Sequence, residues 1–81
     1  MEIGEVSNYF AKVEVAAIKL TKPLKVGDKI KIKGGEVEFE QTVDSMQIHG
    51  KAVEKAKKGD EIGIKVSQKV RKGYKVSKVK E

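Results

Sequence analysis

Several residue types that carry chemistry in other proteins are scarce in this chain. Cysteine and tryptophan are absent, and the 81 residues include one histidine and one proline. Disulfides, thiolate nucleophiles and zinc–thiolate sites are therefore excluded, and a lone histidine is a poor metal site. We expect no metal and no cofactor. We also expect a single domain over residues 1–81, because so short a chain has no room for a second core.

Long apolar runs are also missing. The longest covers residues 15–18, which is far too short for a membrane span or for the core of a signal peptide. Together with the lack of cysteine, which suits a reducing compartment, this predicts a cytoplasmic protein without membrane contact. Aromatic residues make up only 5% of the chain, so the core must be built from aliphatic side chains.

Positive charge comes almost entirely from lysine, since Arg71 is the single arginine. Residues 1–50 carry seven lysines and eight carboxylates, a net charge of −1, whereas residues 51–81 carry eleven cations and four carboxylates, a net charge of +7. Such a concentration of cations is typical of a surface that binds a polyanion. Lysine without arginine favours phosphate contact over the recognition of bases.

The same charge has a second interpretation. Charged residues make up 37% of the chain, and a surface rich in lysine and glutamate is typical of thermophilic proteins. Separate solvated lysines on different sides of a domain would have the same sequence as one basic face. Composition therefore leaves both interpretations open.

Hydrophobic residues recur with a period of two, which is the spacing of β-strands. Residues 29–33 alternate lysine with isoleucine, and residues 36–40 alternate glutamate with apolar side chains. Gly34 and Gly35 between these runs predict a two-residue hairpin loop. In that hairpin, the three lysines of the first run lie beside the three glutamates of the second on the solvent face.

Other runs continue the alternation, with two irregularities. Val13 and Val15 are read as core-facing residues of one strand in which Ile18 and Leu20 have the opposite parity. The change of parity at Ala16 and Ala17 predicts a β-bulge there, and residues 51–58 allow a single helical turn. Six or seven short strands separated by glycine-containing turns predict an all-β fold, namely a small closed or nearly closed antiparallel β-barrel. Closure would also remove exposed strand edges from a very small domain.

Catalytic motifs are not evident. Neither glycine-containing lysine turn ends in the Lys-Ser/Thr of a phosphate-binding loop, so we expect this chain alone to bind no nucleotide. Asp44, Ser45 and His49 are residue types of a hydrolytic triad, but their spacing supplies neither the mutual geometry nor an oxyanion site. His49 is better explained as a residue at a strand end or turn, and no enzymatic activity is predicted.

The segment TVDSMQIHGKAVEKAKKGDEIGIKV resembles the β-barrel second domain of the translational GTPases, of which elongation factor Tu is the familiar member. In that family a Lys-x-Gly-Asp turn precedes a strand, as in LKVGDKIKI here, and the closing VRKGYKV is similar to its final Arg-x-Gly segment. A later loop has the form Val-x-x-Ala-x-x-Gly-Asp-x-x-Gly. Its positions are matched by Val53, Ala56, Gly59, Asp60 and Gly63.

The stretches SNYF and SMQI are more similar to the C-terminal barrel of collagenase-like peptidase family proteins, some of which are implicated in RNA modification, and to small free-standing elongation-factor-like proteins. The resemblance implies a barrel with a role in translation or RNA modification. In the tRNA carriers, a glutamate and an arginine help to hold the terminal adenosine. The matching positions here are Gln47 and Gly50, which removes one carboxylate and one guanidinium from that recognition.

We therefore predict a non-enzymatic, RNA-associated accessory barrel that contacts tRNA or rRNA through lysine–phosphate pairs. The predicted RNA-binding residues are Gln47, His49, Lys51, Lys55, Lys57, Lys58, Lys69, Arg71, Lys72 and Lys75. The alternative is a protein-interaction module that docks on a separate enzyme. Its anchors would be Tyr9, Phe10 and Tyr74, because aromatic side chains dominate interface energetics, although core packing is the preferred interpretation of Phe10.

Overall fold

The computed structural model describes residues 2–35 and 37–79, and that part of the chain contains strands and turns without a helix. No segment of it is therefore a helix long and apolar enough to cross a membrane. The strands are β1 (Glu2–Phe10), β2 (Val15–Leu20), β3 (Leu24–Lys25), β4 (Lys29–Gly34), β5 (Val37–Thr42), β6 (Met46–Ile48), β7 (Lys51–Val53), β8 (Lys55–Ala56), β9 (Glu61–Lys65) and β10 (Lys75–Lys78). Their pairings are antiparallel, so the all-β class and the antiparallel arrangement are confirmed.

Eight of these strands form one sheet in the order β5-β4-β10-β1-β2-β9-β6-β7, and β3 pairs with β8 in a second sheet. Among the described residues, β5 and β7 are the ends of this ladder, so closure into a barrel stays a prediction. The sheet nevertheless curls back on itself. Gln41 of β5 donates from Nε2 to the Lys65 carbonyl (2.8 Å) and accepts at Oε1 from the Ser67 N–H (3.0 Å), which ties one sheet end to the chain after β9.

The core inside this curled sheet is aliphatic, as predicted. Ile30 and Ile32 of β4 and Ile62 and Ile64 of β9 are at most 1% exposed, which confirms the alternation in both strands. Phe39 is the one aromatic side chain among the buried residues of the described segments. Burial of branched aliphatic side chains is thus the main favourable term in folding.

The β4–β5 hairpin turns one residue later than predicted. Gly34 still pairs with Val37 at the end of the ladder, so the linking residues are Gly35 and Glu36, and Glu36 lies outside the described residues. The Tyr74 ring covers Gly34, where a Cβ would collide with the ring atoms. Position 34 therefore belongs to the strand and admits glycine alone without a rearrangement.

The predicted charge pairing on this hairpin is confirmed for two of the glutamates. Lys31 Nζ lies 2.8 Å from Glu38 Oε1, and Lys29 Nζ lies 3.5 Å from Glu40 Oε1. The hydrogen bond between Lys31 and Glu38, together with their charge attraction, raises the pKa of the lysine and lowers the pKa of the glutamate. The predicted contact of Glu36 lies outside the described residues.

The predicted bulge in β2 is wrong. Residues 15–20 alternate without interruption between the core and the outer face. The apparent change of parity has two causes: Val13 lies in the turn before β2 and is exposed, and Val15 lies on the outer face of β2. The bulge is on β1 instead, where the register shifts between Val6 and Asn8 and leaves Ser7 as the extra residue.

Residues 51–58 form β7, β8 and the start of a turn, so the predicted helical turn is also wrong. Two Gly-Asp turns share one structure. Asp28 and Asp60 each accept, at Oδ2, the N–H of the residue three positions earlier, at 3.1 and 3.0 Å. The strands before these turns pair with each other, and Leu24 faces its counterpart Ala56. The two turn units are thus arranged as around a local two-fold axis.

Candidate functional site

The predicted RNA-binding residues lie on four parts of the fold. They are Gln47, His49 and Lys51 on the β6–β7 hairpin, Lys55, Lys57 and Lys58 on β8 and the turn after it, Lys69, Arg71 and Lys72 in the loop before β10, and Lys75 on β10. The structure brings Gln47 and His49 to one groove, and Lys69 and Arg71 to one hollow. Three strands of the ladder separate β10 from β6.

The β6–β7 hairpin places its polar residues by a tight turn. His49 and Gly50 both have left-handed backbone conformations, with φ of 52° and 79°, between the paired residues Ile48 and Lys51. Positive φ at both linking residues is the pattern of a type I′ hairpin turn. The prediction that His49 occupies a turn is confirmed, and Gln47 lies on β6 opposite Gly63 of β9.

A groove of about 360 Å³ runs between this hairpin and the β1–β2 turn, on the outer face of β2 and β9. Its floor lies at Ala17 and Gly63, which lie opposite each other and have the smallest side chains on that face. A Cβ at position 63 would approach Val15 Cγ1 to 3.2 Å, so a larger residue there would crowd the Val15 side chain of β2. The small residues leave room for a side chain from outside the domain.

One wall of the groove is apolar and exposed. Phe10 is 49% exposed and Val13 is 58% exposed, and both line the groove. Core packing of Phe10, the preferred interpretation, is therefore wrong. The bulge at Ser7 changes the inward parity of β1 in its last residues, so that Tyr9 packs partly against the core and Phe10 points outward.

The other two predicted aromatic anchors are less accessible than expected. Tyr9 and Tyr74 are half-buried and pack against the core. Val13 is more exposed than Phe10 and is not among the residues predicted to bind a partner. The sequence does not reveal this exposure, because Val13 lies just before the alternating residues of β2 and is read as one of them.

The rim of the groove carries a fixed carboxylate. Ser7, the bulge residue, donates a hydrogen bond from its hydroxyl to Glu61 Oε2 at 2.7 Å. The same hydroxyl lies 3.2 Å from the Ala17 carbonyl. The groove thus combines an apolar wall with a rim of polar side chains, which is the anatomy of a protein–protein contact surface.

The loop before β10 forms a second surface. Val37 of β5, Lys69, Arg71 and Tyr74 line a hollow of about 360 Å³. The lining contains two cations, one aromatic ring and one aliphatic side chain. This is the place where the structure brings two of the predicted cations together around a common space.

The remaining predicted lysines have different surroundings. Lys75 Nζ lies 3.1 Å from Glu5 Oε2 and 3.9 Å from Glu2 Oε2, so carboxylates of β1 hold it. Lys55 lies opposite Lys25 in the β3–β8 ladder. Lys57 donates its backbone N–H to the carboxylate of the Gly-Asp turn that follows β8.

The residue types of a hydrolytic triad are on different surfaces. Asp44 and Ser45 line a polar hollow of about 420 Å³ together with Glu14 and Ser67, whereas His49 lines the groove. Within residues 2–35 and 37–79, no three His, Asp or Glu side chains are grouped so that they could hold a metal ion.

Comparison with known proteins relates the chain to a protease-like protein. No protein-family model matches it. An uncharacterized protease of Methanocaldococcus jannaschii is 48% identical over 82 residues that include 100% of this chain. The chain spans 20% of the length of that relative.

Solved structures with this fold come from a candidate U32 peptidase of Geobacillus thermoleovorans. Its C-terminal domain superposes with a TM-score of 0.91, covering 96% of this chain and 91% of that domain at 18% identity. The selenomethionine variant gives 0.89, with 94% and 96% covered and the same identity. These likenesses support the collagenase-like peptidase part of the predicted resemblance and give no support to the elongation-factor part. The chain has the fold of a peptidase C-terminal domain.

Proposed function

We propose that this chain is a non-catalytic accessory domain that docks on the main body of a protease-related protein. The observation that carries the proposal is the match of the entire chain to one part, 20%, of the M. jannaschii protease. In that relative, the matching part is joined to a much larger remainder. The same fold forms the C-terminal domain of the Geobacillus protein. A domain that belongs to a larger protein presents a surface to the rest of it.

The groove between the β1–β2 turn and the β6–β7 hairpin is the surface with the properties that docking requires. The large apolar side chains of Phe10 and Val13 remain about half exposed. Neighbouring exposed apolar groups on a small domain mark contact sites. The space left above Ala17 and Gly63 accepts an apolar side chain from the partner. The proposed occupant is an apolar segment of the protease body, and the curled sheet acts as a nearly closed barrel that supports it.

Translation-linked RNA binding, the main prediction from the sequence, does not follow from these relatives. The residues predicted for it are spread over several surfaces of the domain. The docking proposal needs none of the lysines. It concerns contact with the protease body and assigns no reaction to this chain.

The direct test is calorimetric titration of the chain into the M. jannaschii protease from which the matching region has been deleted. We expect one-to-one binding with Kd of about 10 μM or tighter, typical of a specific contact between domains. Val13→Ser should weaken binding about tenfold, since removal of a buried anchor typically costs more than 1 kcal/mol. Val26→Ser is the matched control, because Val26 is an exposed valine of the β3–β4 turn outside the groove.

A folded protease body, verified by circular dichroism and a cooperative thermal transition, is a condition of this experiment. If the body is unstable alone, this chain replaces the matching region in the intact relative, and the melting temperature of the body is compared for the same two variants. Equal effects of Val13→Ser and Val26→Ser in either format would contradict docking at the groove.

A further inference from the structure

Three cations lie within four residues on the loop between β9 and β10. Lys69, Arg71 and Lys72 are exposed. Among the ion pairs of the described residues, lysines of β4 and β10 contact carboxylates, whereas these three cations do not take part. No ion pair of the described residues neutralises their charge, which is therefore available to an anionic ligand.

The loop that carries these cations is held in place in its middle and at the end that leads into β10. Val70 is 1% exposed and anchors the loop in the core. Gly73 donates its N–H to the Val6 carbonyl at 2.8 Å, and Val6 donates its N–H to the Tyr74 carbonyl at 2.7 Å. A loop fixed by core packing and backbone hydrogen bonds loses little conformational entropy when a ligand binds.

The hollow beside the loop has an aromatic side. The Tyr74 ring packs over Gly34 and is half-buried, so its orientation is fixed. Arg71 and Lys69 share the hollow with this ring, and Val37 completes the lining. Bases of single-stranded nucleic acids stack on tyrosine rings and on guanidinium planes, while lysines neutralise the adjacent phosphates.

The same lining indicates how selective such a site is. Among the described residues it contains no Asn, Gln, Asp or Glu, the side chains that read the edges of adenine and cytosine. Arginine and lysine, which it does contain, read guanine, so any base preference of the site would be for guanine. Stacking and phosphate contact carry little sequence information. A paired base cannot offer its face to a ring on the protein surface, so the geometry favours a single strand over a duplex.

We propose that the Tyr74 hollow and the Lys69–Lys72 loop form a binding site for single-stranded nucleic acid of low sequence selectivity. A base stacks on Tyr74 beside Arg71, and the flanking phosphates contact Lys69 and Lys72. The site goes beyond the proposed docking function and shares no residue with the docking groove. Of the predicted RNA-binding residues, the proposed site uses those in the loop before β10 and does not require the lysines after β8.

The test is fluorescence anisotropy with a labelled oligouridylate of about 12 nucleotides, a length within the range that one small barrel covers. Titrations are made at about 50 and 200 mM salt. We expect micromolar binding at the lower concentration. The variant Arg71→Glu/Lys72→Glu should bind at least tenfold more weakly. It should also reduce the slope of log K against log salt by about 0.7, the contribution of one phosphate contact to a single strand, because Lys72 is the one phosphate-binding residue that this variant removes.

Two further variants separate this site from general charge. Lys57→Glu/Lys58→Glu makes the same change in net charge on the turn after β8 and should weaken binding about threefold or less. Tyr74→Leu keeps an apolar side chain over Gly34 but removes the stacking ring. It should weaken binding about fivefold or more without changing the salt slope. Circular dichroism verifies that each variant is folded.

Equal losses for the two double charge reversals would overturn the site, since the whole basic surface would then act as one. Binding of a poly-glutamate peptide as tight as that of the oligonucleotide would overturn it in favour of an acidic protein partner. The first result is readable from the charge variants alone, in which all four substituted residues are exposed, and the second from the unsubstituted chain. Neither result bears on docking at the groove.

Discussion

At some positions of this domain, the atoms packed against the backbone determine which residue type is tolerated. Gly34 is a glycine of this kind, because the Tyr74 ring occupies the place of its side chain. Gly4 is another, since a Cβ there would lie 2.7 Å from the Lys19 carbonyl oxygen of the neighbouring strand. Neither has the left-handed φ that makes glycine necessary at Gly27 or Gly59. All four are simply glycines in the sequence. The structure shows that two of them lack space for a Cβ and that the other two have a left-handed backbone.

Replacement of Gly34 by alanine tests this packing at the scale of one residue. The added methyl group must displace the Tyr74 ring, and forced repacking of this kind costs about 1–3 kcal/mol of the free energy of unfolding. Urea denaturation at constant m-value measures the change. In the Tyr74→Ala background the same substitution should cost much less. An equal cost in both backgrounds would show that the ring is not the cause.

Elements were predictable where alternation alone defines them. The aliphatic faces of β4 and β9 follow from their isoleucines, and the β4–β5 hairpin follows from its glycines. The bulge at Ser7 was not predictable, because a serine is compatible with either face of a strand and gives no parity signal. That one extra residue exchanges the inward-facing and outward-facing positions at the end of β1, so that Phe10 is exposed. A local register change thus produces the apolar wall of the groove.

At the scale of elements, Gln41 is expected to hold the sheet in its curled form. Its amide joins β5 to the segment after β9 through hydrogen bonds with Lys65 and Ser67. Gln41→Ala should lower the free energy of unfolding by about 1–2 kcal/mol, because two backbone groups lose their partner. Gln68→Ala, at an exposed glutamine nearby in the chain, should change it by less than about 0.5 kcal/mol. Equal effects in chemical denaturation would mean that this bridge does not stabilise the sheet.

The whole molecule places together residues that the sequence keeps apart. The groove takes its residues from the β1–β2 turn, from β9 and from the β6–β7 hairpin. Its apolar character could not be predicted, since Val13 was assigned to a strand and Phe10 to the core. Of the predicted site residues, Gln47 and His49 border the groove, and the cations divide among other surfaces. Net charge indicated a basic second half, but it did not indicate which lysines share a space.

Docking of the groove on a protease body is most directly tested by nuclear magnetic resonance. The ¹⁵N-labelled chain is mixed with the unlabelled M. jannaschii protease that lacks the matching region, and backbone amide shifts are followed. Docking at the groove predicts changes at residues 10–17 and 47–50, with residues 24–28 on the β3–β4 turn unchanged. Changes confined to residues 69–74 or to residues 24–28, or no changes with a folded partner, would contradict it.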